Sequence, residues 1–231
     1  MNTNRTFIHK PVSLGYESLG DASVPGTRIY VTPQGKHYPS ITTVLGSVVC
    51  EGIEQWKNAV GQQEVDRVLH HAGTRGTALH SIVERYLNNE ADIFEHNTMP
   101  HVKALWRSIK PVLDQNIGTV VLQECPLYSD IFGVAGRVDC IAEYEGKLSV
   151  IDFKTSKHRK TKDKISNYFI QTAFYAAAFY ERTNIPIQQS VIIMAVDDDP
   201  NPIVFKEDTY KWLKDLKQIV KQYNEKTFSK K

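Results

Sequence analysis

The spacing of apolar positions divides the chain into three textures. Up to residue 40 no periodicity holds, and Gly15, Gly20, Pro25, Gly26, Pro33, Gly35 and Pro39 punctuate the chain. That pattern predicts an extended N-terminal arm or edge ribbon over 1–37, with a short hairpin near 28–38. Helical spacing then takes over. Ser40 caps a helix that carries Ile41, Val44 and Leu45 on one face. Two more helices are expected over 53–68 and 76–87, the second repeating Leu79, Ile82, Val83 and Tyr86. A fourth over 101–116 is expected to kink or break at Pro111.

Alternating, β-branched segments over 119–127, 133–144 and 147–153 read as strands joined by short turns. A basic run over 154–164 leads into a strong helix, Ser166–Thr183. A strand over 188–196 stops at Asp197-Asp198-Asp199-Pro200, and an amphipathic helix over 207–224 closes the chain. Helices, a β-meander, then helix–strand–helix predict an α/β fold. It is one domain over 38–231, with a mixed central β-sheet flanked by α-helices.

Composition narrows the class. A chain of 231 residues, 41% of them hydrophobic, can form a full core without disulfides or structural metals. Its 28 Lys+Arg against 26 Asp+Glu leave +2, so contact with a polyanion must rely on local patches and not on the overall field. Cys50, Cys125 and Cys140 make neither a disulfide framework nor a Cys-x-x-Cys knuckle, which fits a reducing compartment. There is no signal-like N-terminus and no long apolar run. The expectation is a soluble intracellular protein with no membrane partner. No phosphate-cradling loop ending in Gly-Lys-Ser/Thr occurs, so no ATPase motor is expected.

The informative segment runs Gly136-Arg137-Val138-Asp139, Tyr144-Glu145-Gly146-Lys147, Asp152-Phe153-Lys154. If Glu145-Gly146 is a two-residue hairpin turn, Tyr144 faces Lys147 and Asp139 falls directly opposite Asp152. Their Cβ atoms would then lie about 4.5–5.5 Å apart on one face, with Lys154 two residues further along that face. Opposed carboxylates repel, and a divalent cation removes the repulsion; hard oxygen ligands suit Mg²⁺ or Mn²⁺. Lys154 would orient or deprotonate a water, or stabilise charge growing on a phosphate. Against this, Asp-x-Lys occurs in many unrelated chains as a solvated strand pattern, and a longer turn would shift the register.

Two further motifs flank the carboxylates. Upstream, Arg75-Gly76-Thr77-Ala78-Leu79-His80 opens a helix, with Glu84 one turn on; downstream, Gln171 and Tyr175 share a helix face. A lone helical histidine is more often packed or solvated than a ligand. The order Gly-x-x-x-His, Gly-x-x-Asp, Asp-x-Lys, Gln-x-x-x-Tyr, however, resembles the RecB-type branch of the PD-(D/E)XK nucleases, and its small single-domain exonucleases of the phage type in particular. The likeness runs from about Tyr38 to Val196, and 39–45 with Trp56 resembles that subgroup's N-terminal motif.

The resemblance implies a restriction-endonuclease-like fold and a site in which Asp139, Asp152 and the Phe153 carbonyl hold the metal. His80 would be the further ligand that marks the branch. Lys154 is the implied catalytic lysine, and Gln171 and Tyr175 would position the scissile strand and that lysine. Glu124 is a weaker candidate for a second metal or a water, and a solvated edge carboxylate is as good a reading. Some relatives hold a four-cysteine iron–sulfur cluster; three cysteines at these spacings imply none. Ser40, Arg75, Lys157, Arg159, Lys160 and Tyr175 are candidate nucleic-acid contacts, with Arg137 beside them. The basic run equally reads as a solvated loop. Trp56, Trp106 and Tyr128 are either base-stacking platforms or core, with core favoured for the tryptophans.

The function expected is a Mg²⁺- or Mn²⁺-dependent DNA exonuclease acting on single-stranded or end-containing DNA. It would work in replication, repair or recombination, with proteins of those processes as partners, in a bacterial or phage-host cytoplasm. The alternatives are a structure-specific or double-strand endonuclease and a non-catalytic DNA-binding protein on a nuclease fold.

Overall fold

A computed structural model of the chain describes residues 5–48 and 61–228. Cys50, Trp56 and the first part of the helix expected over 53–68 lie outside the described residues.

Three short strands, β1 (Gly20–Asp21), β2 (Ile29–Val31) and β3 (His37–Pro39), form an antiparallel ribbon with Tyr30 opposite Tyr38. The ribbon hands over to α1 (Ile41–Ser47), whose cap is Ser40: its hydroxyl accepts the Thr43 N–H at 3.0 Å. That bond satisfies one of the helix's orphan donors.

Helix α2 (Gln62–Leu87) is continuous where the sequence predicts two helices, running through Gly73 and Gly76. Glycine inside a helix costs about 1 kcal/mol each. Burial of Leu79, Ile82, Val83, Tyr86 and Leu87 along the same helix outweighs that cost. Likewise α3 (Pro100–Asn116) passes through Pro111 unbroken, because Ile109 and Leu113 on either side are fully buried.

Five strands lie side by side in chain order: β4 (Ile117–Ser129), β5 (Val134–Tyr144), β6 (Lys147–Ser156), β7 (Gln189–Val196) and β8 (Asp199–Asp208). Every neighbouring pair is antiparallel except β6–β7. That parallel pair is joined by a 3₁₀ turn (Lys162–Ile165) and helix α4 (Ser166–Thr183), the crossover that parallel pairing requires. A second 3₁₀ turn (Thr209–Trp212) precedes α5 (Leu213–Phe228). Strand β8 is missing from the sequence prediction, and it displaces the start of the last helix from residue 207. Its Pro200 and Pro202 argue against a strand, but β8 is an edge, where a missing N–H is tolerated.

Helices α2 and α3 cover one face of the sheet over Cys140, Ile151, Phe153 and Ile193. Helices α1, α4 and α5 cover the other over Val138, Ile141 and Val150. Strand alternation from Ile151 and Phe153 therefore puts Asp152 and Lys154 on the α4 side. Among the described residues no helix is long and apolar enough to cross a membrane.

Candidate active site

The carboxylates sit where β5 and β6 part. Glu145 and Gly146 turn the hairpin with φ of 51° and 75°, the left-handed pair of a two-residue loop. The ladder then runs from Tyr144↔Lys147 to Cys140↔Ile151, the register expected from the sequence. One step further Asp139 and Asp152 would be paired, but the ladder ends before them. The Phe153 N–H instead donates to Asp139 Oδ2 at 2.9 Å. Asp152 is 1% exposed, and Lys154 Nζ donates to its Oδ1 at 2.6 Å. Its Oδ2 is buried with no hydrogen-bond partner. Burial raises the Asp152 pKa against the pull of the Lys154 ammonium. Burial also opposes the charge on Lys154, yet Asp152 and then Asp139 outweigh it and hold the lysine protonated.

His80 arrives from α2 on the opposite side of the sheet. Its Nε2 donates to the Phe153 carbonyl at 2.8 Å, and its Nδ1 lies 3.6 Å from Asp139 Oδ2 and 3.7 Å from Glu124 Oε1. Burial disfavours the imidazolium, but Asp139 and a hydrogen bond to Glu124 prevail and lift its pKa to about 9. Glu124 occupies β4 at φ 42°, a left-handed backbone within a strand, and the Arg137 guanidinium donates to its carbonyl at 2.5 Å. Such strain in a non-glycine residue persists only where the surroundings enforce it.

From α4, Gln171 and Tyr175 reach down onto the same spot, 8% and 2% exposed, with Gln171 Nε2 3.5 Å from the Tyr175 hydroxyl. Burial drives the Tyr175 pKa upward, so its phenol stays protonated. The absence of a side chain at Gly136 admits this tyrosine: a Cβ there would meet the hydroxyl at 2.9 Å.

These residues line a cavity of about 470 Å³. His80, Glu124, Arg137, Asp139, Lys154, Gln171, Tyr175 and Ser40 border it, while Asp152 lies beneath. Ser40 is 2% exposed, with its hydroxyl spent on the α1 cap and on Thr42 and Thr43. Arg75, Lys157, Arg159 and Lys160 do not border the cavity. Arg75 pairs with Asp197, Arg159 with Asp199, and Lys160 Nζ donates to the Tyr168 hydroxyl at 3.1 Å. Trp106 and Tyr128 are buried core, 3% and 2% exposed, and offer no face to a base. Wall residues that escaped the sequence reading include Arg28 and Tyr30, from the ribbon. Their short hairpin carries no periodic signal that marks them.

The donor set fits a hard divalent cation. Ligand atoms of His80, Glu124 and Asp139 lie within 4.8 Å of one another, and the orphaned Asp152 Oδ2 supplies a buried oxygen in need of a partner. Asp152 is not one of that trio, and Lys154 holds its other oxygen.

The family model of the PD-(D/E)XK nuclease superfamily matches residues 103–230. The chain is 27% identical over 191 residues to mitochondrial genome maintenance exonuclease 1 of Homo sapiens, across 77% of this chain and 55% of that protein. The Mus musculus protein of the same name is 26% identical over 178 residues, 71% of this chain and 52% of its own. That of Xenopus tropicalis is 32% identical over 131 residues, 52% of this chain and 37% of its own. The chain thus spans about half the length, or less, of the curated relatives it matches. Both buried carboxylates, the lysine, Gln171 and Tyr175 fall inside the matched family stretch, and His80 lies upstream of it. With its five-stranded mixed sheet flanked by helices, a restriction-endonuclease-like fold, the chain belongs to the PD-(D/E)XK nuclease superfamily.

Proposed function

We propose that this protein is a divalent-cation-dependent DNA exonuclease that hydrolyses phosphodiester bonds from an end of single-stranded DNA. The observation that carries the reading is the convergence of His80, Asp139 and Lys154 on one cavity, with Asp152 beneath it and one of its buried oxygens left without a partner. Likeness to an exonuclease named for mitochondrial genome maintenance supports DNA as substrate, and replication, repair or recombination as the setting.

His80, Asp139, Asp152 and the Phe153 carbonyl would hold Mg²⁺ or Mn²⁺, which supplies Lewis acidity toward the phosphate and the attacking water. Lys154 orients that water and offsets negative charge as it grows on the phosphate. The Tyr175 phenol, kept protonated by burial, donates to a phosphate oxygen, and Gln171 holds the phenol in place. Arg137 and Ser40 border the cavity and would meet the strand there; Arg75, Lys157, Arg159 and Lys160 lie outside it and would contact DNA only beyond the cavity. The cavity is walled by α2 on one side and by the ribbon's Arg28 and Tyr30 on the other, which suits one strand better than a duplex.

Digestion of linear and circular, single- and double-stranded DNA in Mg²⁺ and in Mn²⁺ tests this. Linear single strands are expected to be consumed and circles to survive; cleaved circles would show an endonuclease instead. Lys154→Ala is expected to lower cleavage by about 10³-fold or more while fluorescence anisotropy still detects DNA binding in Ca²⁺. Full activity in that variant would remove Lys154 from the chemistry.

A further inference from the structure

Lys154 has a second neighbour besides Asp152. Its ammonium lies 5.1 Å from the ring centroid of Tyr168, a half-buried residue in the first turn of α4. The same ring carries Lys160, 5.3 Å from the centroid, which also donates to the Tyr168 hydroxyl. One aromatic ring therefore serves two ammonium groups, one bordering the cavity and one in the basic run beyond it.

The choice of an aromatic partner has a physical point. A ring face attracts a cation through its quadrupole while carrying no net charge. Lys154 holds one oxygen of Asp152 and the other, Oδ2, is free for a cation, so a cation bound there takes up part of the carboxylate's charge and weakens its hold on the lysine. A replacement carboxylate would compete for the cation or cancel the charge on the lysine. An aromatic ring does neither.

We propose that Tyr168 is a positioning residue for Lys154. Its ring keeps the ammonium at the cavity while Asp152 is engaged by a divalent cation, and its hydroxyl ties Lys160 to the same place. The assignment rests on the nuclease reading above, and it concerns a residue that none of the four sequence motifs contains.

Two measurements test it. In metal-free protein carrying ¹³C-labelled lysine, the Lys154 ε-methylene resonance, identified by its loss in Lys154→Ala, is expected upfield of the lysines that face no aromatic ring, through the ring current of Tyr168. The shift should survive in Tyr168→Phe, vanish in Tyr168→Leu, and persist when Ca²⁺ is added. In steady-state cleavage of a linear single-stranded oligonucleotide with Mg²⁺, Tyr168→Leu is expected to lower kcat about tenfold with KM within about twofold, and Tyr168→Phe to restore kcat to within about threefold. An unshifted Lys154 resonance, loss of the shift on adding Ca²⁺, or a Phe variant as slow as the Leu variant would overturn the proposal. A wild-type protein with the shifted resonance but no cleavage of any DNA overturns the nuclease reading itself and leaves the lysine–ring contact standing, so the two failures are distinguishable.

Discussion

A methyl group at position 136 would sit 2.9 Å from the Tyr175 hydroxyl, 3.0 Å from its Cε1 and 3.1 Å from Ile41 Cγ2. Both neighbours are buried, so neither side chain can swing clear. Gly136→Ala is expected to cost about 1–3 kcal/mol of stability, as overpacking does. It should also slow cleavage by displacing Tyr175, while Gly136→Ala combined with Tyr175→Phe recovers part of the melting temperature. Thermal melts of the three variants check this. The Gly-x-x-Asp spacing was legible in the sequence, but its cause was not: the tyrosine that needs the space comes from a distant helix. Glu124 shows the same limit more sharply. A left-handed glutamate inside a strand leaves no trace in composition or alternation, and only its place beside His80 and Asp139 separates it from a solvated edge carboxylate.

Among the elements, those whose signal is local read cleanly. Helix α4 matches its expected limits, Ser166–Thr183, because a dense apolar face is bounded by the basic run before it and by Asn184 in the left-handed conformation after it. Helix α1 follows from its cap and three apolar positions. The misreadings come from residues whose local preference is overruled by tertiary burial: Gly73 and Gly76 in α2, Pro111 in α3, and Pro200 and Pro202 in β8. The α1 cap gives a direct test. Ser40→Ala is expected to destabilise the protein by about 1 kcal/mol, and Ser40→Asp to recover most of that loss. Urea unfolding midpoints at constant slope measure both. A Ser40→Ala variant as stable as wild type would show that the hydroxyl contributes nothing as a cap.

Across the whole molecule the near-neutral charge has a spatial form that the sum of +2 conceals. The acidic turn after β7 is matched residue for residue: Asp197 pairs with Arg75, Asp199 with Arg159, and Asp198 Oδ2 lies 2.7 Å from His158 Nδ1. Glu207 on β8 joins more distant parts, accepting from Lys162 before α4 and from Lys211 before α5. Lys162 and then Lys211 hold its pKa near 2, below the usual 4.5. A depressed carboxylate pKa stabilises the fold fully above the unfolded value, and that contribution fades as pH falls through the folded one. The stability difference between wild type and Glu207→Gln should therefore be constant near neutral pH and shrink between about 4.5 and about 2, as denaturant titrations at each pH will show. None of these pairings was legible, because a run of like charges in sequence says nothing of the acids that folding brings to meet it.

The two borders of the five-stranded sheet carry a consequence of their own. At β4, Val120 exchanges backbone hydrogen bonds with Ile8 and Lys10 of the N-terminal segment. At β8, Pro200 and Pro202 remove donors from the outer rim, and Lys206 places a charge there, paired with Glu145. An open strand rim invites pairing with another molecule, and prolines, charges and covering segments are the means by which natural sheets refuse it. Each border of this sheet thus carries one of those devices, which disfavours strand-to-strand templating between molecules at high concentration.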